Sequence, residues 1–188
     1  MSQEKGSPRH ELQGGSGETP PPGSNGRSRQ VAVIGAGGCE QDSEIALLAE
    51  EVGRRLAEAG VTVVCGGLGG VMGAVARGAA QAGGTVIGIV PGYSIAEANS
   101  YCTQVVASGV GQARNLAVVG SGEVVIAIGG EWGTLSEIGH ARAVGRTVVA
   151  LHSWALTGRD RMEGAPGVVP AETAAEAVAA ALAVLAAL

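Results

Sequence analysis

Two carboxylates lie close together around a glycine-rich turn in the second half of the chain. The stretch AIGGEWGTLSEIGH, residues 127–140, has Glu131 inside the turn and Glu137 on the helix predicted to follow it. A glycine turn between a buried strand and a helix exposes backbone N–H groups, which can hold a phosphate. Near such a site Glu137 could act as a general acid or base, or stabilise a sugar cation while a glycosidic bond breaks. The predicted ligand-binding residues of this turn are Gly129, Gly130, Glu131, Gly133 and Thr134.

Both acidic residues also have a purely structural interpretation. Thr134 and Glu137 have the T-x-x-E spacing of a capping box, which satisfies the start of a helix without any ligand. Glu131 can turn outward, or occupy the helix N-terminus itself, where negative charge is favoured by roughly 0.3–1 kcal/mol. It can also accept hydrogen bonds from the amino or hydroxyl groups of a ligand such as a purine or a pterin. The sequence leaves these alternatives open.

Two further glycine turns follow predicted strands. The stretch CGGLGGVMGAVARGA, residues 65–79, opens a helix and is a second predicted anion site, unless its glycines serve only close helix–strand packing. Its predicted ligand-binding residues are Gly66, Gly67, Gly69, Gly70 and Met72. The third turn, GAGG at residues 35–38, lacks the full dinucleotide-binding fingerprint. It either contacts the ligand through Gly35 or only permits a tight turn.

Arg114 is the candidate that would clamp the ligand. It lies in the stretch GQARNLA, residues 111–117, on a predicted helix. An arginine there can bind a phosphate or carboxylate with two N–H donors, unless it is a solvated surface residue. Its neighbour Asn115 is a further candidate for ligand binding. His140 follows Glu137 by three residues without a second cluster of ligands, so we expect no metal site.

The composition excludes several classes of function. The net charge is −5, the pI is about 5.2, and no basic cluster could follow a nucleic-acid backbone, so we expect no nucleic-acid binding. No signal-peptide core and no apolar run of membrane-spanning length occur, so no membrane association is expected. The three cysteines are widely spaced and are typical of small core residues in a reduced, cytoplasmic protein.

Strands and helices alternate after a polar beginning. Residues 1–29 are almost without apolar side chains and predict a disordered tail, whereas residues 30–188 predict one domain. Apolar runs that end in glycine alternate with segments whose apolar residues recur at three- and four-residue spacing. This alternation predicts an α/β, Rossmann-like, doubly wound parallel sheet with helices on both faces. Ligands of such sheets lie beyond the carboxyl ends of the strands, where the glycine turns fall.

Six strands and five helices are predicted. The strands cover residues 31–35, 61–67, 85–91, 102–106, 123–130 and 147–154. The helices cover residues 42–60, 69–84, 110–122, 133–145 and 170–188, and the first is capped by Asp42 or Ser43 and ends at Gly60.

Four motifs together resemble those of the Lonely-guy (LOG) superfamily, which also carries the label lysine decarboxylase. They are GGLGGVMGAVARGA, GIVPG, ARN and IAIGGEWGTLSEIGHA, in the family's order and approximate spacing. The resemblance covers the chain from about residue 30 and is strongest to the branch with molybdenum-cofactor carrier proteins. It implies a Rossmann-like fold, a homodimer or dimer of dimers with sites near the subunit interface, and no required cofactor. It implies no lysine decarboxylation, because no pyridoxal lysine is evident.

The characterised LOG enzymes release the base from a nucleoside 5′-monophosphate and leave ribose 5-phosphate. By resemblance, Arg114 orients the substrate and Glu137 assists cleavage of the glycosidic bond. The enzymes' motif is P-G-G-x-G-T-x-x-E, from which this chain departs by Glu131 in place of the second glycine and Gly129 in place of the proline. Their Arg-Lys pair is also replaced by Arg114 and Asn115.

Two functions therefore remain open. The first is a phosphoribohydrolase that acts on a purine nucleoside 5′-monophosphate. The second is a non-catalytic carrier or sensor of a phosphorylated nucleotide or pterin, with molybdenum cofactor as the carried ligand. The departures at positions 115 and 131 remove a positive charge and add a negative one near the expected phosphate, which favours the second. In both cases the partner is a small phosphorylated molecule.

Overall fold

One parallel sheet of seven strands forms the centre of the protein. The computed structural model describes residues 28–156 and 165–188. The strands are β1 (Gln30–Gly35), β2 (Thr62–Cys65), β3 (Val86–Val90), β4 (Gln104–Ala107), β5 (Val124–Ile128), β6 (Val148–Leu151) and β7 (Val168–Ala171). Their order in the sheet is β4-β3-β2-β1-β5-β6-β7, and every neighbouring pair is parallel. The α/β Rossmann-like prediction is confirmed.

Five α-helices connect and cover the strands within the described residues. They are α1 (Glu44–Glu58), α2 (Val71–Gln81), α3 (Arg114–Ser121), α4 (Trp132–Ala143) and α5 (Ala174–Ala186). Helices α1, α2 and α5 pack on one face of the sheet, and α3 and α4 pack on the other. The core on both faces consists of Val, Ile, Leu and Ala, whose small and branched side chains allow closely layered packing.

The winding of the chain reverses beside β1. From β1 the chain adds β2, β3 and β4 on one side, and it then crosses back to place β5 on the other side of β1. Gly35 and Ile128, the last residues of β1 and β5, are register partners. The carboxyl ends of these two strands therefore form the switch point at which parallel α/β sheets bind ligands.

Local signals explain most helix boundaries. The side chain of Ser43 accepts a hydrogen bond from the backbone N–H of Ala46 and caps α1, as one of the two predicted caps. Gly60, with φ of 72°, follows the end of α1 in the left-handed conformation that glycine adopts without strain. The helix predicted over residues 110–122 is divided into a 3₁₀ turn, Gly111–Ala113, and α3. The divided start places Arg114 at the first position of α3.

Strand β7 is absent from the sequence-based prediction. It occupies Val168–Ala171, at the start of the segment predicted as the last helix, and it pairs only with β6. Pro170 lacks a backbone N–H, which an edge strand tolerates. Thr173 then caps α5 by accepting a hydrogen bond from the N–H of Glu176.

The predicted tail lies outside the described residues except for its last two positions. One of these, Arg29, donates a hydrogen bond to the carboxylate of Glu123 at 2.6 Å and another to the carbonyl of Leu185. None of the helices described here is both long and apolar enough to cross a membrane.

Candidate functional site

A cavity of about 320 Å³ opens at the switch point between β1 and β5. Its walls come from the turns that follow β1, β2 and β5 and from the first residues of α2, α3 and α4. The lining residues are Val33, Ile34, Gly35, Ala36, Gly37, Gly66, Leu68, Met72, Gln112, Arg114, Asn115, Val118, Glu131, Gly133, Thr134 and Glu137. The volume is at the lower end of the range for small-molecule sites.

The turns after β1 and β2 are joined to each other. The backbone N–H of Val71, the first residue of α2, donates to the carbonyl of Ala36 at 3.0 Å. Gly70 precedes it with φ of 61°, and a Cβ at this position would overlap the backbone of Ala36 and Gly37. Only glycine therefore allows α2 to begin against the β1 turn, which holds the turns after β1 and β2 together at one edge of the sheet.

Arg114 is buried at the bottom of the cavity without an ion-pair partner. Its residue surface is 5% exposed, and its guanidinium lies against the backbone of Gly66 and the sulfur of Met72. Within the described part of the chain no carboxylate forms a salt bridge with it, and its Nε has no hydrogen-bond acceptor. Burial lowers the pKa of Arg114, and the nearby carboxyl of Glu137 opposes that change. Arg114 is therefore a buried residue of the cavity wall and not a solvated surface residue.

Glu137 shares the cavity with Arg114. It lies in the second turn of α4 and is 8% exposed. Burial raises its pKa to about 7, and the positive charge of Arg114 limits the rise. A carboxyl group with this pKa exists in both its protonated and its charged form near neutral pH, as proton transfer in either direction requires.

The helix starts at this cavity lack the caps found elsewhere in the chain. Ser43 and Thr173 cap α1 and α5 with their side chains. The N-cap positions of α2 and α4 are Gly70 and Glu131, and neither supplies a side-chain hydrogen bond to its helix. The first N–H groups of α4 therefore remain available to an anion, whose charge the helix dipole also favours.

The capping-box interpretation of Thr134 and Glu137, after the glycine turn that follows β5, is wrong. Helix α4 begins at Trp132, so that Thr134 is already its third residue and Glu137 lies beyond the first turn. The carboxylate of Glu131 is exposed, lines the cavity and makes no hydrogen bond to the helix amides. Its carbonyl accepts a hydrogen bond from Nε1 of Trp154 at 3.2 Å, which fixes the backbone of the turn. Self-occupation of the helix N-terminus by Glu131 is thereby excluded, and the other two alternatives remain.

Asn115 and Thr134 add polar groups to the wall. The Oδ1 atom of Asn115 is buried and has no hydrogen-bond donor in the part of the chain that the structure describes. Thr134 is buried as a residue, lines the cavity and carries a hydroxyl that can donate and accept. The cavity therefore presents a buried cation, exposed amides and an unused acceptor, a combination that suits a ligand with an anionic end and N–H or O–H groups.

Nine of the fourteen predicted site residues line this cavity, and five do not. Those that line it are Gly35, Gly66, Met72, Arg114, Asn115, Glu131, Gly133, Thr134 and Glu137. Gly69 and Gly70 line a neighbouring cavity of about 260 Å³, together with Arg77 and Tyr101. Gly67, Gly129 and Gly130 have positive φ angles and shape the turns without lining either cavity.

Sequence reasoning missed part of the wall. Gln112 lies in the 3₁₀ turn before α3, and its place follows only from the division of the predicted helix. Leu68 also lines the cavity, but the prediction for the turn after β2 covers only its glycines and Met72. No three His, Cys, Asp or Glu side chains of residues 28–156 and 165–188 cluster closely enough to hold a metal ion.

Comparisons with known proteins agree with this fold. The SLOG cluster4 family matches residues 28–181. An uncharacterized protein of Archaeoglobus fulgidus is 42% identical over 122 residues, which are 65% of this chain and 79% of the relative.

Two solved structures are similar over nearly their full lengths. The Moco carrier protein of Chlamydomonas reinhardtii is 30% identical, with a TM-score of 0.75 over 86% of this chain and 99% of that one. The molybdenum cofactor binding protein of Rippkaea orientalis is 28% identical, with a TM-score of 0.74 over 85% of this chain and 98% of that one. The predicted resemblance to the LOG superfamily and its carrier branch is confirmed. Because the family match extends over most of the chain, the protein belongs to the SLOG cluster4 family.

Proposed function

We propose that this protein binds a phosphorylated heterocyclic small molecule, a nucleotide or a pterin, in the cavity at the switch point. One observation carries the proposal: the guanidinium of Arg114 is buried beside the cavity and forms no salt bridge within residues 28–156 and 165–188, while the nearby Glu137 carboxyl has a pKa of about 7 and is only partly charged at neutral pH. A buried charge without a partner costs several kcal/mol, which an anionic ligand would offset. The family membership and the two molybdenum-cofactor proteins of similar structure support the same class of ligand.

The ligand's phosphate binds at the start of α4 in this proposal. The N–H groups of Gly133 and Thr134 and the hydroxyl of Thr134 provide donors, and the helix dipole adds a favourable field. Arg114 neutralises negative charge from the opposite wall. The Oδ1 atom of Asn115 then accepts a hydrogen bond from an amino or hydroxyl group of the heterocycle or sugar.

Binding without turnover is the function that these features support best. Asn115 and Glu131 stand where the LOG enzymes have a lysine and a glycine, so the phosphate end of the site is less positive. Both similar solved structures are of proteins described as carriers or binders of molybdenum cofactor. The open acceptor at Asn115 and the exposed carboxylate at Glu131 suit the amino groups of a pterin.

Hydrolysis of an N-glycosidic bond is the second candidate, and Glu137 favours it. With a pKa of about 7, the group can donate a proton to a departing base or, when charged, stabilise the positive charge on the sugar. Arg114 and the α4 amides would hold a nucleoside 5′-monophosphate by its phosphate while the bond to the base breaks. The products would be the free base and ribose 5-phosphate.

A single experiment separates the two functions. Purified protein is titrated by calorimetry with AMP, GMP, a phosphorylated pterin and molybdenum cofactor, and each mixture is then analysed by chromatography for released base. Saturable binding without product supports a carrier, whereas base release that disappears in Glu137→Gln supports the hydrolase. A single-stranded oligonucleotide serves as the control ligand, because the net charge of −5 predicts no binding to it. Absence of binding by all small ligands would contradict the proposal.

A further inference from the structure

Two of the three cysteines lie beside each other behind the cavity. Cys65 ends β2 and is the register partner of Gly88 on β3. Partners on adjacent parallel strands point to the same face and are about 4.8 Å apart. The sulfur of Cys102 lies 2.6 Å from the position that a Cβ on Gly88 would occupy. The thiol of Cys102 therefore fills the place of a side chain next to Cys65.

Glycine at position 88 is what allows this approach. A Cβ at Gly88 would overlap the sulfur of Cys102 at 2.6 Å and contact its Cβ tightly at 3.3 Å, so any larger residue would displace the second cysteine. The sulfur of Cys65 makes only a weak contact, at 3.8 Å, with the carbonyl of Met72. Little is therefore lost if this sulfur moves away from Met72 to form another bond.

The two thiols differ in environment. Cys65 is fully buried, whereas Cys102 is partly exposed on the segment between β3 and β4. The neighbouring Cys102 thiol and burial raise the pKa of Cys65, whereas the Cys65 thiol and the nearby Asn99 side chain lower the pKa of Cys102. The thiol of the partly exposed Cys102 is thus the better nucleophile, and the thiol of the buried Cys65 lies beside it.

We propose that Cys65 and Cys102 are a reversible disulfide site, in which a hydroperoxide oxidises Cys102 first and Cys65 resolves the product. The Cys102 thiolate attacks a peroxide oxygen, the O–O bond breaks and an alcohol or water leaves. The resulting sulfenic acid is attacked by the sulfur of Cys65, the S–S bond forms, and hydroxide leaves to take up the Cys65 proton as water. Each thiol gives one electron, and these two electrons reduce the peroxide.

The disulfide would secure the segment that supports the cavity from behind. The side chain of Asn99 already donates hydrogen bonds to the carbonyls of Gly67 and Leu68 at 3.1 and 3.0 Å. A covalent bond from Cys102 to Cys65 would tie the same segment to the turn after β2 at a second point. Cys65 directly precedes Gly66, whose backbone lies against the guanidinium of Arg114. This inference does not depend on which ligand the cavity binds.

Mass spectrometry of a two-cysteine variant tests the proposal. Cys39→Ser leaves only Cys65 and Cys102, because the chain has three cysteines. One equivalent of hydrogen peroxide should lower the mass of the chain by about 2 Da and remove both alkylatable thiols, reversibly with dithiothreitol. Peptide mapping should recover the cross-linked pair from a single chain. Recovery of both thiols reduced, or a cross-link between two chains, would overturn the proposal.

A second variant tests the assigned roles. In Cys39→Ser/Cys65→Ala, oxidation should stop at a sulfenic acid on Cys102, which dimedone traps with a mass gain. If the two-cysteine variant accumulates the same dimedone adduct without a disulfide, Cys65 is not the resolving thiol and the proposal fails. Should Cys65→Ala not fold, Cys39→Ser/Cys102→Ala replaces it and should stay reduced, because Cys65 is fully buried. Rapid peroxide oxidation of that variant would contradict the order of attack.

Discussion

The guanidinium of Arg114 lies against the backbone of Gly66, in the space that a side chain at this position would occupy. A Cβ at Gly66 would come within 2.6 Å of Cζ of Arg114 and of the sulfur of Met72. Because Gly66 has no side chain, the guanidinium of Arg114 fits into this space and its positive charge is buried beside the cavity. The relationship explains why a glycine turn after β2 and an arginine on α3, almost fifty positions apart, belong to one site.

Gly66→Ala should weaken ligand binding more than it weakens the fold. The added methyl group displaces the guanidinium, whereas the backbone of Gly66 does not have a positive φ and accepts alanine without strain. We expect at least a roughly tenfold rise in the Kd for the ligand, equivalent to about 1.4 kcal/mol. Gly139→Ala is the matched control, because it lies on α4 away from the cavity lining and a Cβ there meets no described atom within 4 Å. If both variants change the Kd equally in a calorimetric titration, Gly66 does not act by making room for the guanidinium of Arg114.

Arg114→Met should abolish binding and leave the free protein as stable or more stable. Methionine keeps much of the volume and removes a buried charge that forms no salt bridge within the described residues, so the cost of desolvating that charge disappears. Removal of a charge that contacts an anionic ligand costs about 2–5 kcal/mol of binding free energy. Arg77→Met is the contrast, because Arg77 pairs with Glu50 and its loss should destabilise the fold. If chemical denaturation shows that Arg114→Met is less stable than the parent protein, Arg114 has a structural role instead.

The stability of the ligand-free protein should fall as the pH rises from about 4.5 to 7 because of Glu137. Its pKa is about 7 in the folded protein and near 4.5 in the unfolded chain, so the folded state holds one more proton within this window. Proton binding to Glu137 therefore stabilises the folded protein by roughly 3 kcal/mol at pH 4.5 relative to pH 7, and this stabilisation is lost as the pH rises through the window. Glu137→Gln should therefore be more stable than the parent above pH 7 and similar to it near pH 4.5. If the difference in stability between the parent and Glu137→Gln is the same at all pH values, the carboxyl is not buried as described.

Glu131→Gln should tighten the binding of a phosphorylated ligand. The exposed carboxylate lines the cavity beside the amides that hold the phosphate in our proposal, and it makes no cap hydrogen bond of its own. Because solvent screens the repulsion between this carboxylate and the phosphate, its removal should improve the binding free energy by about 1 kcal/mol, which is roughly a fivefold decrease in Kd. Glu58→Gln makes the same change of charge at the C-terminal end of α1, at the opposite edge of the sheet, and should have no effect. Weaker binding by Glu131→Gln would show instead that the carboxylate accepts hydrogen bonds from the ligand.

The sequence predicts much of the fold because β1, β2 and β5 are apolar runs that end in or are followed by glycine. Those runs, together with helical periodicity, place β1, α1, β2, α2 and β5 within a few residues of their observed bounds. Strand β7 escapes prediction because its Val-Val-Pro-Ala segment is short, contains proline and leads directly into an alanine-rich helix. Its strand character comes from pairing with β6, which is a tertiary contact.

The site is only partly predictable from local patterns. The T-x-x-E spacing of Thr134 and Glu137 cannot reveal that α4 starts two residues before Thr134, which makes the capping box impossible. The burial of Arg114 likewise depends on the distant residues Gly66 and Met72. The homodimer or dimer of dimers and the cytoplasmic location remain predictions, and sedimentation velocity would test the former.

The most direct test of the central claim is native mass spectrometry of the protein as purified, compared with Arg114→Met. The account predicts that the parent protein carries a small phosphorylated heterocycle, identified after denaturation, and that the variant prepared in the same way lacks it. A ligand retained equally by both proteins, or no bound molecule in the parent together with no calorimetric response to AMP, a phosphorylated pterin or molybdenum cofactor, would contradict the claim.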